Sequence, residues 1–127
     1  MNPPVPAVLA ELAGLMIRSA MPGVAEAERA SDLALSAALL GVAAEMWDRQ
    51  AHILVEENRA LRSLLGQSGS DEDLRLSALR RENDRLRAAL IELHVRAEQS
   101  GDGALEARIW AELAASTERR KLATAPV

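Results

Sequence analysis

With two histidines, 19 acidic residues and no cysteine, this 127-residue chain has a short list of chemistries open to it. Glu45, Asp48, His52 and Glu56 follow one another at three- and four-residue steps. On a helix that spacing lines them along one face, where i and i+4 side chains converge and could share a metal ion. A di-iron bundle needs a Glu-x-x-His pair from each of two helices. The residues three before His52 and His94 are Arg49 and Ile91, so that constellation is absent, and His94 with Glu98 is an isolated pair. Ser36 and Ser63 have no histidine at a spacing that suggests a triad. No glycine-rich phosphate loop is written, and the missing cysteine removes thiolate metal sites, thiol nucleophiles and disulfides together. The expectation is a chain with no catalytic site of its own, no metal and no cofactor.

The informative pattern is a phrase written twice. Glu57-Asn58-Arg59-Ala60-Leu61-Arg62-Ser63-Leu64-Leu65 returns 25 residues later as Glu82-Asn83-Asp84-Arg85-Leu86-Arg87-Ala88-Ala89-Leu90. Both copies read Glu-Asn-x-x-Leu-Arg-x-x-Leu, and both set Asn on an apolar seam where leucine would be more stable. A buried Asn there costs stability and fixes register and helix number. The phrase resembles the seam of a leucine zipper, and the same a/d pattern also serves packing inside a bundle. Two copies fall short of a tandem repeat architecture.

Four helices are needed to present these positions. Ala and Leu carry nearly all of the apolar content, Trp47 and Trp110 are the only aromatics, and no stretch alternates with period two. Those are helix-forming habits. The first helix is expected over about 7–20, ended by Pro22-Gly23. The second spans about 24–65, unless Ser31-Asp32 caps a later start. With Asn58 at position a, its d positions are Leu33, Leu40, Trp47, Leu54 and Leu61, and its earlier a positions are Ala30, Ala37, Ala44 and Ala51. A second row, Leu39, Met46 and Ile53, widens the apolar face, which marks a central element. Gly66 to Ser70 forms a loop ample for an antiparallel hairpin. The third helix is expected over about 71–99, capped by Ser70 with Asp71, Glu72 and Asp73 in its first turn. It sets Leu76, Asn83, Leu90 and Ala97 at a, with Leu79, Leu86 and Leu93 at d. The fourth, about 104–122, follows a cap at Asp102, and loose ends are expected at 1–6 and 119–127.

The whole reads as a single all-α domain over 1–127: a helical hairpin or four-helix bundle with one long central helix and coiled-coil-like packing. A net charge of -4 gives no general attraction to nucleic acid or anionic lipid. Arg75, Arg80, Arg81, Arg85 and Arg87 crowd the third helix, but Glu72, Asp73, Glu82, Asp84 and Glu92 interleave with them. Phosphate binding needs a net positive face, so no nucleic-acid partner is expected. The uncharged run Leu33 to Ala44 is too short for a bilayer, and Glu11 interrupts the N-terminal apolar stretch before it can serve as a signal peptide. The expectation is therefore a cytoplasmic protein without a membrane partner, with arginine usage typical of a GC-rich bacterial genome. The function expected is a small helical interaction or accessory protein that assembles as a homodimer through the seam Leu33, Leu40, Trp47, Leu54, Asn58, Leu61, Leu79, Asn83, Leu86 and Leu93, with room for an unidentified protein partner. The alternative is a bundle that binds a small apolar ligand near a tryptophan, or a subunit of an enzyme complex.

Overall fold

The computed structural model describes residues 4–24 and 26–123. Among these the protein is all-α, with α1 (Val5–Leu15), α2 (Ala27–Leu65), α3 (Leu76–Ser100) and α4 (Gly103–Arg120) and no strand. By internal contacts the chain divides in two: the described residues up to Arg49 with Leu122 and Ala123 form one unit, and Gln50–Lys121 the other. Helix α2, of 39 residues, contributes to both.

In the first unit, Pro4 is the extended residue before α1 and Pro6 sits in the first turn, where a missing N–H removes no helical bond. The helix widens into a π turn at Met16–Ala20 and tightens into a 3-10 turn at Met21–Gly23. Pro22 cannot donate to a helical ladder, and Val24 is already extended, so α2 starts at Ala27 instead of Val24. Ser31 and Asp32 lie inside it, with Ser36 Oγ donating back to the Asp32 carbonyl at 2.8 Å. Arg18 folds over Gly14 to reach Glu11 at 2.7 Å, and a Cβ at Gly14 would come within 2.5 Å of its guanidinium. Ala37 alone is buried among the described residues up to Arg49.

The second unit holds the core. Leu61, Leu86, Leu90, Ala97 and Ile109 are buried together, with Leu64, Leu65, Leu93, Leu105 and Leu113 packed around them. Ile53, Leu54 and Leu79 are buried as well. Gly66, at φ 66°, ends α2 in the left-handed conformation, with the Gln67 N–H donating back to the Arg62 carbonyl at 2.9 Å.

The chain beyond Gly66 does not turn straight into an antiparallel helix. It runs back along α2, so that Gly69, Ser70 and Asp71 share a recess with Val55, Arg59 and Arg62. Asn58 then donates to the Leu79 carbonyl, while Leu64 and Leu65, further along α2, pack in the cluster with Leu86 and Leu90. Numbers rising along α2 face numbers rising along α3, so the two helices are parallel. Doubling back spans roughly 20 Å of helix axis, which about ten loop residues cover with slack.

The expected start of α3 at Asp71 is corrected to Leu76, and the carboxylates explain why. Asp71 is held by Arg62 at 2.6 Å and Asn58 at 3.1 Å, and Asp73 accepts from both the backbone N–H and the guanidinium of Arg75. Side chains that bond locally in this way compete with helix formation. The hairpin lies instead between α3 and α4. Gly101, at φ 68°, caps α3, and Asp102 Oδ1 accepts from the Leu105 N–H at 3.0 Å to start α4. Contacts between His94 and Trp110 and between Arg87 and Ser116 set α4 antiparallel to α3. Helix α4 ends at Arg120, two residues short of the expected 122, and includes Arg119 and Arg120, which were expected in the loose end. Of the two ends expected to be loose, residues 1–3 and 124–127 lie outside the described residues.

Leu86 is fully buried, whereas Ile91, five residues later, is 67% exposed. Leu86→Ala is expected to cost about 2–5 kcal/mol in urea unfolding, and Ile91→Ala no more than about 0.5 kcal/mol.

Candidate functional site

Parallel pairing explains the repeated phrase. In a parallel two-stranded coil, equal heptad positions face each other at a and d, and the residue before a on one helix reaches the residue after d on the other. Here Asn83 Nδ2 donates to Asn58 Oδ1 at 3.0 Å, joining the two a positions. Arg87 Nη2 donates to Glu57 Oε2 at 3.1 Å, and Arg62 Nη2 to Glu82 Oε1 at 3.0 Å. Each copy thus supplies its Glu to the other copy's Arg, across a centre of paired asparagines. The repeat offset is also the register of the two helices.

Groups outside the phrase then distinguish the two copies. Glu57, fully buried, accepts from Ser116 Oγ at 2.7 Å and from Arg120 Nε and Nη2 at 2.7 and 2.6 Å. Asn83 Nδ2 also approaches it at 3.3 Å, and Arg87 Nε bonds Asn83 Oδ1 at 2.9 Å. On the other side Arg62, 8% exposed, takes Asp71 at 2.6 Å as a second carboxylate. Glu57 therefore locks α4 to the pair, and Arg62 locks the returning loop.

Burial alone would raise the pKa of Glu57. Hydrogen bonds from Arg120, Ser116 and Arg87, with the positive charge of Arg120, outweigh it and hold the pKa at about 2. Arg120 is pushed up in return, chiefly by its bonds to Glu57. Glu82 also lies at about 2, held first by Arg85 and then, against some burial, by Arg62. Arg62 is raised by its bonds to Asp71 and Glu82 against the opposing effect of burial. A carboxylate so low, with both oxygens occupied by donors, is a poor proton acceptor, and this arrangement is a latch. Such buried pairs are expensive to desolvate and expensive to break once made.

The predicted seam residues separate by unit. Leu54, Asn58, Leu61, Leu79, Asn83 and Leu86 are buried, and Leu93 is half-buried. Leu33 and Leu40 are half-buried in the first unit. Trp47, expected under a close partner helix, is 61% exposed among the described residues. Trp110 is 59% exposed and makes an edge-to-face contact with His94, ring centres 5.5 Å apart. On the acidic face, Glu45 pairs with Arg49 and accepts from the Ala123 N–H, and Glu56 pairs with Arg59 at 2.7 Å. Among the described residues no three His, Asp or Glu side chains are grouped to hold a metal ion. Glu57, Arg62, Glu82 and Arg87 lie outside the expected seam, and their equal places in the two copies of the phrase are the signal that marks them as a set. Asp71, Ser116 and Arg120 carried no comparable signal.

Two helical stretches, Val5–Gly23 and Arg29–Leu65, each contain an 18-residue window (mean hydropathy 1.3 and 1.2) long and apolar enough to cross a membrane by length and composition alone. Compared with protein-family models, curated proteins and solved structures, the chain matches none.

Since Glu57 titrates lower when folded than unfolded, its contribution to stability is complete above its ordinary value near 4.5 and is lost as pH falls towards about 2. Acid titration of the wild type should therefore show a loss of roughly 3 kcal/mol assignable to this group. Glu57→Gln, which leaves Arg87 and Arg120 without their counter-charge, is expected to cost about 3–5 kcal/mol at neutral pH and to flatten the acid limb. Thermal melts across the pH series check both, and an unchanged acid limb in the variant removes Glu57 as its cause.

Proposed function

We propose that this chain is a small helical interaction or accessory protein that works in the cytoplasm as a homodimer, with no catalytic site of its own. The observation that carries the reading is the open apolar surface of the first unit. Val8, Leu12, Leu15, Ile17, Leu35, Leu39 and Trp47 are between 39% and 61% exposed there. Soluble monomers rarely leave such a collection uncovered. The occupant is a second copy. Helix α2 sets the small Ala30 and Ala44, not fully covered by the chain, beside Leu33, Leu40 and Trp47, so one surface offers both large side chains and the space for them. A surface of that kind is complementary to itself under a two-fold axis, the commonest assembly symmetry. A recess of about 490 Å³ bounded by Ala13, Gly14, Ile17, Ala34, Ala37 and Ala38, with Arg18 its one charged residue, has room for a partner's leucine side chains. The cysteine-free, acidic composition supports the cytoplasmic placement.

A lipid surface is the second reading. It is supported by Val5–Gly23, whose apolar window holds no fully buried residue, and by Glu11 and Arg18, which neutralise each other.

Light scattering at micromolar concentration is expected to give about twice 13.7 kDa, and Leu39→Lys to return the chain to 13.7 kDa with its helix content intact. The wild type should stay at the bottom of a flotation gradient with anionic vesicles. A wild-type monomer rules out the homodimer, and a monomer that floats with the vesicles establishes the lipid reading in its place.

A further inference from the structure

The second unit has a polar recess of about 350 Å³, lined by Gln50, Leu54, Arg80, Asn83, Asp84, Arg87 and Arg120. Three guanidiniums border it against one carboxylate on its wall, Asp84, and the buried carboxylate of Glu57 behind. Arg87 spends its Nε and Nη2 on Asn83, Glu57 and Ser116, and Arg120 spends its Nε and Nη2 on Glu57. The Nη1 donors of both remain without a hydrogen-bond partner among the described residues. Arg80 and Gln50 make no side-chain hydrogen bond or ion pair there either, and Asp84 pairs with no cation.

Guanidinium donors recognise phosphate oxygens through charge-assisted bonds, and the free edge of a guanidinium already fixed by a carboxylate loses little freedom on binding. Arg87 and Arg120 are fixed in that way by Glu57, whereas Arg80 is exposed and supplies the mobile third contact. The excess of positive charge over Glu57 and Asp84 is a single unit, enough to hold a small anion and too little to hold a polyanion tightly. We infer that this recess is a binding site for a small molecule bearing a phosphate group, held between Arg80 of α3 and the Glu57-anchored Arg87 and Arg120. The volume falls at the low end for small-molecule sites. A bound phosphate would tie α3 to α4 on the side where Glu57 already joins them. The inference is independent of the assembly of the first unit.

Inorganic phosphate is the probe, titrated calorimetrically into the full chain at constant ionic strength. Arg80 and Asp84 are both exposed and outside the Glu57 network, so Arg80→Gln and Asp84→Asn keep the fold, checked by unchanged melting temperatures. Arg80→Gln is expected to weaken phosphate binding about tenfold, as loss of one charge-assisted contact does. Asp84→Asn, which removes the like charge from the wall, is expected to tighten it. No heat of binding at millimolar phosphate, equal affinity of Arg80→Gln and wild type, or weaker binding by Asp84→Asn would each overturn the assignment. Tight binding of a single-stranded oligonucleotide with none of inorganic phosphate would overturn it too, since a strand and not a small phosphate would then be the ligand.

Discussion

The contact on which the second unit depends is the pair of buried amides, Asn58 and Asn83. An amide carries two donors and two acceptor lone pairs, and neither side chain can reach water from here. Asn83 donates to Asn58, the Leu79 carbonyl, Asp71 and Glu57 take the remaining N–H donors, and Arg87 donates to Asn83 Oδ1. Sliding α3 by one heptad would set the amides against leucine or alanine and leave each unpaired, at about 1–3 kcal/mol for each. The same slide would carry Glu57 away from Arg87 and Glu82 away from Arg62. Apolar packing alone would allow several registers; the polar centre selects one.

Much of this was legible in the sequence, but the direction of α3 was not. The positions destined for burial follow from the heptad frame, and Leu54, Leu61, Leu79, Leu86, Leu90 and Ala97 are all buried. Helix α2 does end at the loop that begins with Gly66, and Asp102 does cap α4. An a/d pattern, however, is the same for parallel and antiparallel partners. What distinguishes them is whether Glu57 meets Arg87, and so which charges lie across the seam. The acidic run Asp71-Glu72-Asp73 reads as a helical first turn because negative charge suits that place. In the folded chain Arg62 and Arg75 offer two of these carboxylates a full positive charge, which outweighs the half charge of a helix end.

Trp47 shows a different limit. It sits on the d row that continues through Leu54 and Leu61, and periodicity gives it the same standing as they have. Periodicity reports which side chains share a face; it does not report how far along that face the chain supplies its own cover. Leu54 and Leu61 find α3 beside them, and Trp47 stands open. The candidate latch was half-visible for a related reason. Its asparagines stood out as polar intruders on an apolar row, while Glu57 and Arg62 looked like ordinary flanking charges until burial was known.

A phrase that pairs with its own repeat raises the question of why α3 is the partner of α2 in place of another chain's α2. Two copies of α2 laid parallel could match Asn58 with Asn58 and Glu57 with Arg62, the same contacts at the same spacing. Two things favour α3. The connection through Gly66–Arg75 makes the pairing intramolecular, with an effective concentration on the order of millimolar or above. The decisive part lies outside the phrase. Ser116 and Arg120 reach Glu57 only because α4 follows α3, and Asp71 reaches Arg62 only because the returning loop passes there. A pair of α2 helices would leave Glu57 with one guanidinium in place of two and no hydroxyl, buried where water cannot compensate. The repeat therefore makes α2 and α3 compatible, and the three groups that break its symmetry make the pairing specific.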